Sequence, residues 1–171
     1  MRRIFIGLSV ALVSVAVLAG VALAARPNQS WHFVTPLSGA AERPNPIDTL
    51  ARGVAIFHLS EDGQSLSYQL IASNIENITQ AHIHCCAGAE GTAGVSVFLY
   101  PDAPPAQLIP GRHDGVLATG TITAEDVLNP PALTGAEDPL AALIEMIQAG
   151  QTYVNVHTSQ NGPGEIRGQL P

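Results

Sequence analysis

Two imidazoles two residues apart, followed at once by two thiols, stand in the run Asn77-Ile78-Thr79-Gln80-Ala81-His82-Ile83-His84-Cys85-Cys86. In an extended strand successive side chains point to opposite faces, so His82 and His84 share one face while Ala81, Ile83 and Cys85 share the other. Two ring nitrogens then lie side by side, as metal ligation requires. A third imidazole, His157, comes late, in Tyr153-Val154-Asn155-Val156-His157-Thr158. There alternation sets Tyr153, Asn155 and His157 against Val154 and Val156. If the two strands are neighbours the three rings meet, and three neutral imidazoles are a donor set suited to copper or zinc. The competing reading needs no metal: histidines on a half-buried strand hydrogen-bond neighbouring carbonyls or Asn155 and lock the two strands together.

Other donors are more remote. Cys86 falls on the His82/His84 face and Cys85 does not; a redox-labile or plainly buried pair is preferred for these thiols over a ligand role. A bond between adjacent cysteines closes no chain loop, so it cannot staple distant segments and stability must come from packing. His113, in a separate segment, is a distant further candidate. Glu165 and Arg167 share a face of the last strand, where a cross-strand charge network is favoured over groups that orient a ligand. The remaining chemistry is thin. Gly162-Pro163-Gly164-Glu165-Ile166-Arg167-Gly168 has the wrong spacing for a nucleotide loop and opens no helix. No Gly-x-Ser-x-Gly elbow occurs, and no catalytic residue is assigned.

Strands must hold these side chains, and the chain is written in strands. Met1-Arg2-Arg3 is followed by an uncharged run from Ile4 to Ala25 that includes Ala22-Leu23-Ala24, the small-x-small form read by a signal peptidase. Residues 1–24 are read as a signal peptide, with a retained N-terminal anchor as the alternative, and 25–30 as a linker. Cleavage would leave 147 residues, the size of one domain, and would move the formal charge from −7 to −9 through loss of Arg2 and Arg3. All seven basic residues are Arg. Such a surface repels nucleic acid and anionic lipid headgroups. The expected setting is secreted, periplasmic or cell-surface, with an unidentified extracellular protein or glycan as partner and no membrane contact beyond the possible anchor.

From Trp31 onward short alternating segments are separated by Gly and Pro. Strands are expected over Trp31–Leu37, Gly53–Ser60, Gln64–Ala72, the His82 segment, Val95–Tyr100, Gly115–Ile122, Thr152–Thr158 and Gly164–Leu170. Glu61-Asp62-Gly63 supplies hairpin chemistry, and a turn through Ser73–Asn77 is expected before the histidines. Ala87–Gly94 reads as a flexible loop and Pro101–Asp114 as irregular. Thr123-Ala124-Glu125-Asp126 has the form of a capped helical turn. A longer helix is predicted over Pro139–Ala149, capped by Asp138, started by Pro139 and stopped by Gly150. The expected fold is all-β: an antiparallel Greek-key or immunoglobulin-like sandwich with one short helix at about 139–149.

Leu37-Ser38-Gly39-Ala40-Ala41-Glu42-Arg43-Pro44, Gly53-Val54-Ala55-Ile56-Phe57, Leu66-Ser67-Tyr68-Gln69-Leu70, Ala81-His82-Ile83-His84, Tyr153-Val154-Asn155-Val156-His157-Thr158 and Gly164-Glu165-Ile166-Arg167-Gly168-Gln169-Leu170 resemble the successive blocks of a chordin-type (CHRD) domain over 31–171. That resemblance implies an exported all-β module with a binding or structural role and no assigned reaction. Cys85-Cys86 departs from the family, where a Gly-Pro type turn is more usual. The order of blocks is also similar, more weakly, to copper-zinc superoxide dismutase, and by that resemblance His82, His84 and His157 correspond to copper ligands. Its bridging histidine and zinc loop have no clear counterpart, with His113 a remote candidate, which speaks against dismutase activity. Interaction through the Gly-rich and Pro-rich loops is a further class, and would put an exposed apolar patch near Ala87–Gly94 or Pro101–Pro110.

Overall fold

Alternation along Gly53-Val54-Ala55-Ile56-Phe57 buries Gly53, Ala55 and Phe57 and leaves Val54 and Ile56 partly exposed, the signature of a strand with one face on a core. A computed structural model describes residues 31–128 and 133–171; the leader read in 1–24 and the linker 25–30 lie outside the described residues. The elements in chain order are β1 (Trp31–Ser38), a 3-10 turn (Gly39–Ala41), β2 (Arg52–Leu59), β3 (Leu66–Cys85), β4 (Gly94–Tyr100), β5 (Ile109–Ile122), a second 3-10 turn (Ala124–Asp126), α1 (Pro139–Gln148), β6 (Thr152–Thr158) and β7 (Ile166–Gln169).

The all-β class holds, but the strands close on themselves where a two-sheet sandwich was expected. β3 is the reason. Its 20 residues are enough to serve two sets of neighbours. The first part pairs with β2 from Leu59↔Leu66 to Arg52↔Ser73, and the last part pairs with β6 from Ile78↔Thr158 to Cys85↔Thr152. Completed by β2–β1, β1–β7 and β7–β6 pairing, the chain forms a five-strand antiparallel ring, β2-β1-β7-β6-β3. On its other edge β3 carries β5 along the first part and β4 along the last. Closure leaves no open edge within the five-strand ring, while β4 and β5 each pair with β3 alone.

The turn expected through Ser73–Asn77 does not interrupt the strand. Asn74 and Asn77 take left-handed backbone angles, φ 52° and 54°, where register shifts bend β3 between its two sets of neighbours. Asn tolerates that region better than other non-glycine residues. β5 likewise starts at Ile109, so the irregular segment is shorter than expected. The helix matches its sequence signals: Ala141 N donates to Asp138 Oδ1 at 3.0 Å, and Gly150 ends it at φ 64°. Leu140, Leu143 and Ile147 of α1 join Leu37, Phe57, Leu66, Leu70, Ile75, Ile78, Ile83, Val154, Val156 and Ile166 in one core. The exposed large apolar side chains among the described residues are Val34, Leu50, Leu108, Val116 and Leu128, so the Gly-rich loop contributes none and the Pro-rich segment contributes Leu108.

The seam of the ring is narrow. β1 meets β7 at Ser38↔Arg167, and a Cβ added to Gly168 would lie 2.4 Å from the Pro36 carbonyl oxygen. Gly168→Ala is expected to lower the unfolding free energy by about 1–3 kcal/mol through overpacking at that seam. Gly162→Ala, with no atom within 4 Å of its added Cβ, should be near neutral. Urea denaturation of both variants decides it, and equal midpoints would remove the seam from the account of closure.

Candidate metal centre

The β3–β6 register sets Gln80 opposite His157, His82 opposite Asn155 and His84 opposite Tyr153. Directly paired residues of antiparallel strands point to the same side, so His82, His84 and His157 lie on one face. Val154, Val156 and Ile83 occupy the other, in the core. All seven residues of β6 are buried, because the imidazole face is covered as well. Its cover is the partly exposed loop after Cys86, together with the buried side chains of Glu42, Glu165 and Arg167.

The three rings converge. One nitrogen from each of His82, His84 and His157 lies within 4.8 Å of the other two, and the residues are 2, 8 and 5% exposed. His84 Nδ1 is 3.0 Å from the Ala93 carbonyl oxygen and His157 Nδ1 is 2.9 Å from that of Gly162. A carbonyl accepts and never donates, so each Nδ1 carries the proton and each Nε2 keeps its lone pair. His157 Nε2 then accepts from His82 Nδ1, 3.2 Å away. The consequence is that His82 Nε2 also holds a free lone pair. Both His82 Nε2 and His84 Nε2 are buried with no hydrogen-bond partner.

Electrostatics keeps the rings neutral. Burial, followed by the neighbouring imidazoles of His157 and His84, pushes His82 down to about 3. Burial pushes His84 down to about 4, against the stabilising bond to Ala93. His157 is lowered by burial. Neutral imidazole is the form that ligates metal.

Behind His84 lies an aromatic and a cation. The Tyr153 ring stacks on His84 with centroids 4.7 Å apart and planes within 1°, and the Arg167 guanidinium carbon sits 3.5 Å from the Tyr153 centroid. Arg167 is 1% exposed and donates to the carbonyls of Gly91 at 2.8 Å and Gly88 at 3.3 Å and to Gln169 Oε1 at 3.1 Å. Those bonds, with Gln169 Nε2 to the Ala87 carbonyl and Ala93 N to Tyr153 Oη, hold down the loop that its glycines made look free. Ala93 is thereby placed to orient His84.

Glu165 and Arg167 turn to different partners. Glu165 accepts from Thr49 Oγ1, Thr158 Oγ1 and Asn161 Nδ2. Glu42 accepts from Asn155 Nδ2 at 2.8 Å, and burial, opposed by the Arg167 charge, raises it to about 7. Asn155 Oδ1 is buried without a partner. Cys85 and Cys86 are joined in a disulfide, and among the described residues neither Cys86 nor His113 belongs to the imidazole group. His113 Nε2 instead lies 3.3 Å from the Gly115 carbonyl. Sequence reasoning missed Tyr153 and Glu42: Tyr153 was legible as a face-mate of His157, whereas nothing local marks Glu42, which reaches the site from the segment after β1.

A family model described as the CHRD domain matches residues 33–170. The chain belongs to the CHRD-domain family. No curated protein and no solved structure gives a significant match. The CHRD match spans every residue of the candidate centre. Among the described residues no helix is long and apolar enough to cross a membrane.

The depressed histidines tie the stability of the metal-free CHRD domain to pH. In the unfolded chain they titrate near the ordinary value of about 6.5. Below that pH the unfolded state takes up protons that the folded cluster refuses, so stability present above it is lost as pH falls. Glu42 has the opposite sign: its raised value favours the folded state in acid, and that contribution fades as pH rises through about 7. Stability of chelator-treated protein is expected to peak near neutrality and to drop by pH 4, with His82 alone supplying on the order of 3 kcal/mol. Urea midpoints from pH 4 to 8.5 measure it; a flat acid limb contradicts it.

Proposed function

We propose that this CHRD domain is an exported module that holds a transition-metal ion, copper or zinc, on the imidazoles of His82, His84 and His157. The observation that carries the reading is the convergence of one nitrogen from each of three buried, neutral imidazoles to within 4.8 Å, with His84 Nε2 left without a partner. Each unmet polar atom in such a setting costs about 1–3 kcal/mol. A metal ion is the group that engages several imidazole lone pairs at one point. The Ala93 and Gly162 carbonyls support the reading further, because an acceptor on the far nitrogen fixes tautomer and ring direction in metal-binding histidines.

The chain's own work at such a centre is orientation and exclusion of water. His82 would join the other two rings as a ligand through Nδ1 only with its proton on Nε2, the His82–His157 hydrogen bond giving way. A bound copper or zinc would supply a Lewis acid at the barrel wall. Export rests on the reading of residues 1–24 as a signal peptide, and an N-terminus at Ala25 in protein recovered outside the cytoplasm tests it.

One observation favours a second reading. The His82–His157 hydrogen bond at 3.2 Å joins β3 to β6 without an ion, as expected of a structural module whose partner is an extracellular protein or glycan. Elemental analysis separates the two. Purified domain should carry about one copper or zinc per chain, absent from the His82→Ala, His84→Ala double variant and retained by His113→Ala. No metal in either protein, with the double variant merely less stable, would favour the second reading.

A further inference from the structure

Resting on the metal reading above, the geometry points to a site selective for monovalent copper, Cu(I), over divalent zinc. Three features carry this. First, the donor set is neutral. Among the described residues no carboxylate or thiolate lies with His82, His84 and His157, and both cysteine sulfurs are tied to each other. An ion bound there keeps its full charge in a buried place. The cost of desolvating an ion grows with the square of its charge, so a divalent ion loses about four times what a monovalent ion loses.

Second, the formal charge that acts on the rings is Arg167, and its sign is wrong for a dication. Arg167 is stacked on Tyr153, which is stacked on His84, and its charge reaches that ring; no carboxylate acts comparably on any of the three imidazoles. Glu42 is turned to Asn155, and Glu165 to Thr49, Thr158 and Asn161. Coulomb repulsion from Arg167 is twice as large for a 2+ ion as for a 1+ ion.

Third, three side chains are all that the site offers. Zinc takes a fourth ligand, from protein in structural sites or from water in open ones. Cu(I) is satisfied by three nitrogens in a plane. The rings are 2–8% exposed, and the edge of His82 is closed by Phe98 with ring centroids 4.8 Å apart.

The test is a pair of competition titrations on the chelator-treated protein, run without oxygen: Cu(I) against bicinchoninate, and Zn(II) against a colorimetric zinc chelator. The expected result is one equivalent of each at most, with Cu(I) held at least a thousandfold more tightly. Zinc held equally or more tightly overturns the inference while leaving metal binding intact, and would mean that a water completes the site with Asn155 Oδ1 as its acceptor. Binding of neither ion overturns the metal reading itself. Arg167→Gln gives an independent measure. Loss of the charge should raise zinc affinity by the square of the factor by which it raises Cu(I) affinity, narrowing selectivity on the order of tenfold. A folded Arg167→Gln protein with unchanged selectivity removes the charge argument.

Discussion

The register between β3 and β6 governs the rest of the molecule. Fixing His82 opposite Asn155 makes His84 face Tyr153 and brings His157 alongside Gln80, which puts the three rings together. A slip by one residue would turn every one of these side chains into the core and the valines out of it. The penalty enforces the pairing: Ile83, Val154 and Val156 are all fully buried on the other face, and each such side chain contributes about 1.5–3 kcal/mol by leaving water. The hydrophobic face therefore holds the polar face in place. Geometry at the candidate centre is a by-product of packing on the opposite side of the same strands.

Covering the polar face raises a second problem, since it must be sealed without stranding charges. Arg167 is the largest piece of the solution. Its guanidinium is planar and offers several donors, and it meets backbone carbonyls at Gly88 and Gly91 while lying flat on Tyr153. One residue thus anchors the loop, supports the ring stacked against His84, and brings a positive charge up behind the imidazoles. Salt bridging to a carboxylate would have satisfied the arginine and left the loop loose. Glu165 takes hydroxyl and amide donors instead, and ties β6 to its own turn through Thr158 and Asn161.

Much of this was legible in the chain. Alternation grouped His82 with His84 on one strand and Tyr153, Asn155 and His157 on another, because a period of two is a local property of backbone geometry; that the two strands are neighbours was a condition, met by the β3–β6 register. The helix was legible for the same reason: Asp138, Pro139 and Gly150 act on the backbone within one turn of where they sit. Ring closure was not. It depends on how far β3 continues, and Ser73–Asn77 looked like a turn because asparagines are turn residues. Here Asn74 and Asn77 bend a strand that goes on. The role of Ala87–Gly94 was hidden too, since the groups that pin it, Arg167, Gln169 and Tyr153, come some sixty to eighty residues later.

The adjacent cysteines bear on the same site by what they withdraw from it. Cys85 turns into the core on the opposite face, and a thiolate on Cys86, the sulfur that alternation puts on the imidazole side, would have been a negatively charged, soft donor. Their mutual disulfide leaves no free cysteine among the described residues. Because the bonded residues are neighbours, the bond restricts little of the unfolded chain and adds little entropic stability. Its effect on the centre is chemical: the donors that remain are nitrogens, uncharged, directed by backbone carbonyls and backed by an arginine. Under the proposal above, a site so built would discriminate by the charge of the ion it admits more than by the softness of its ligands.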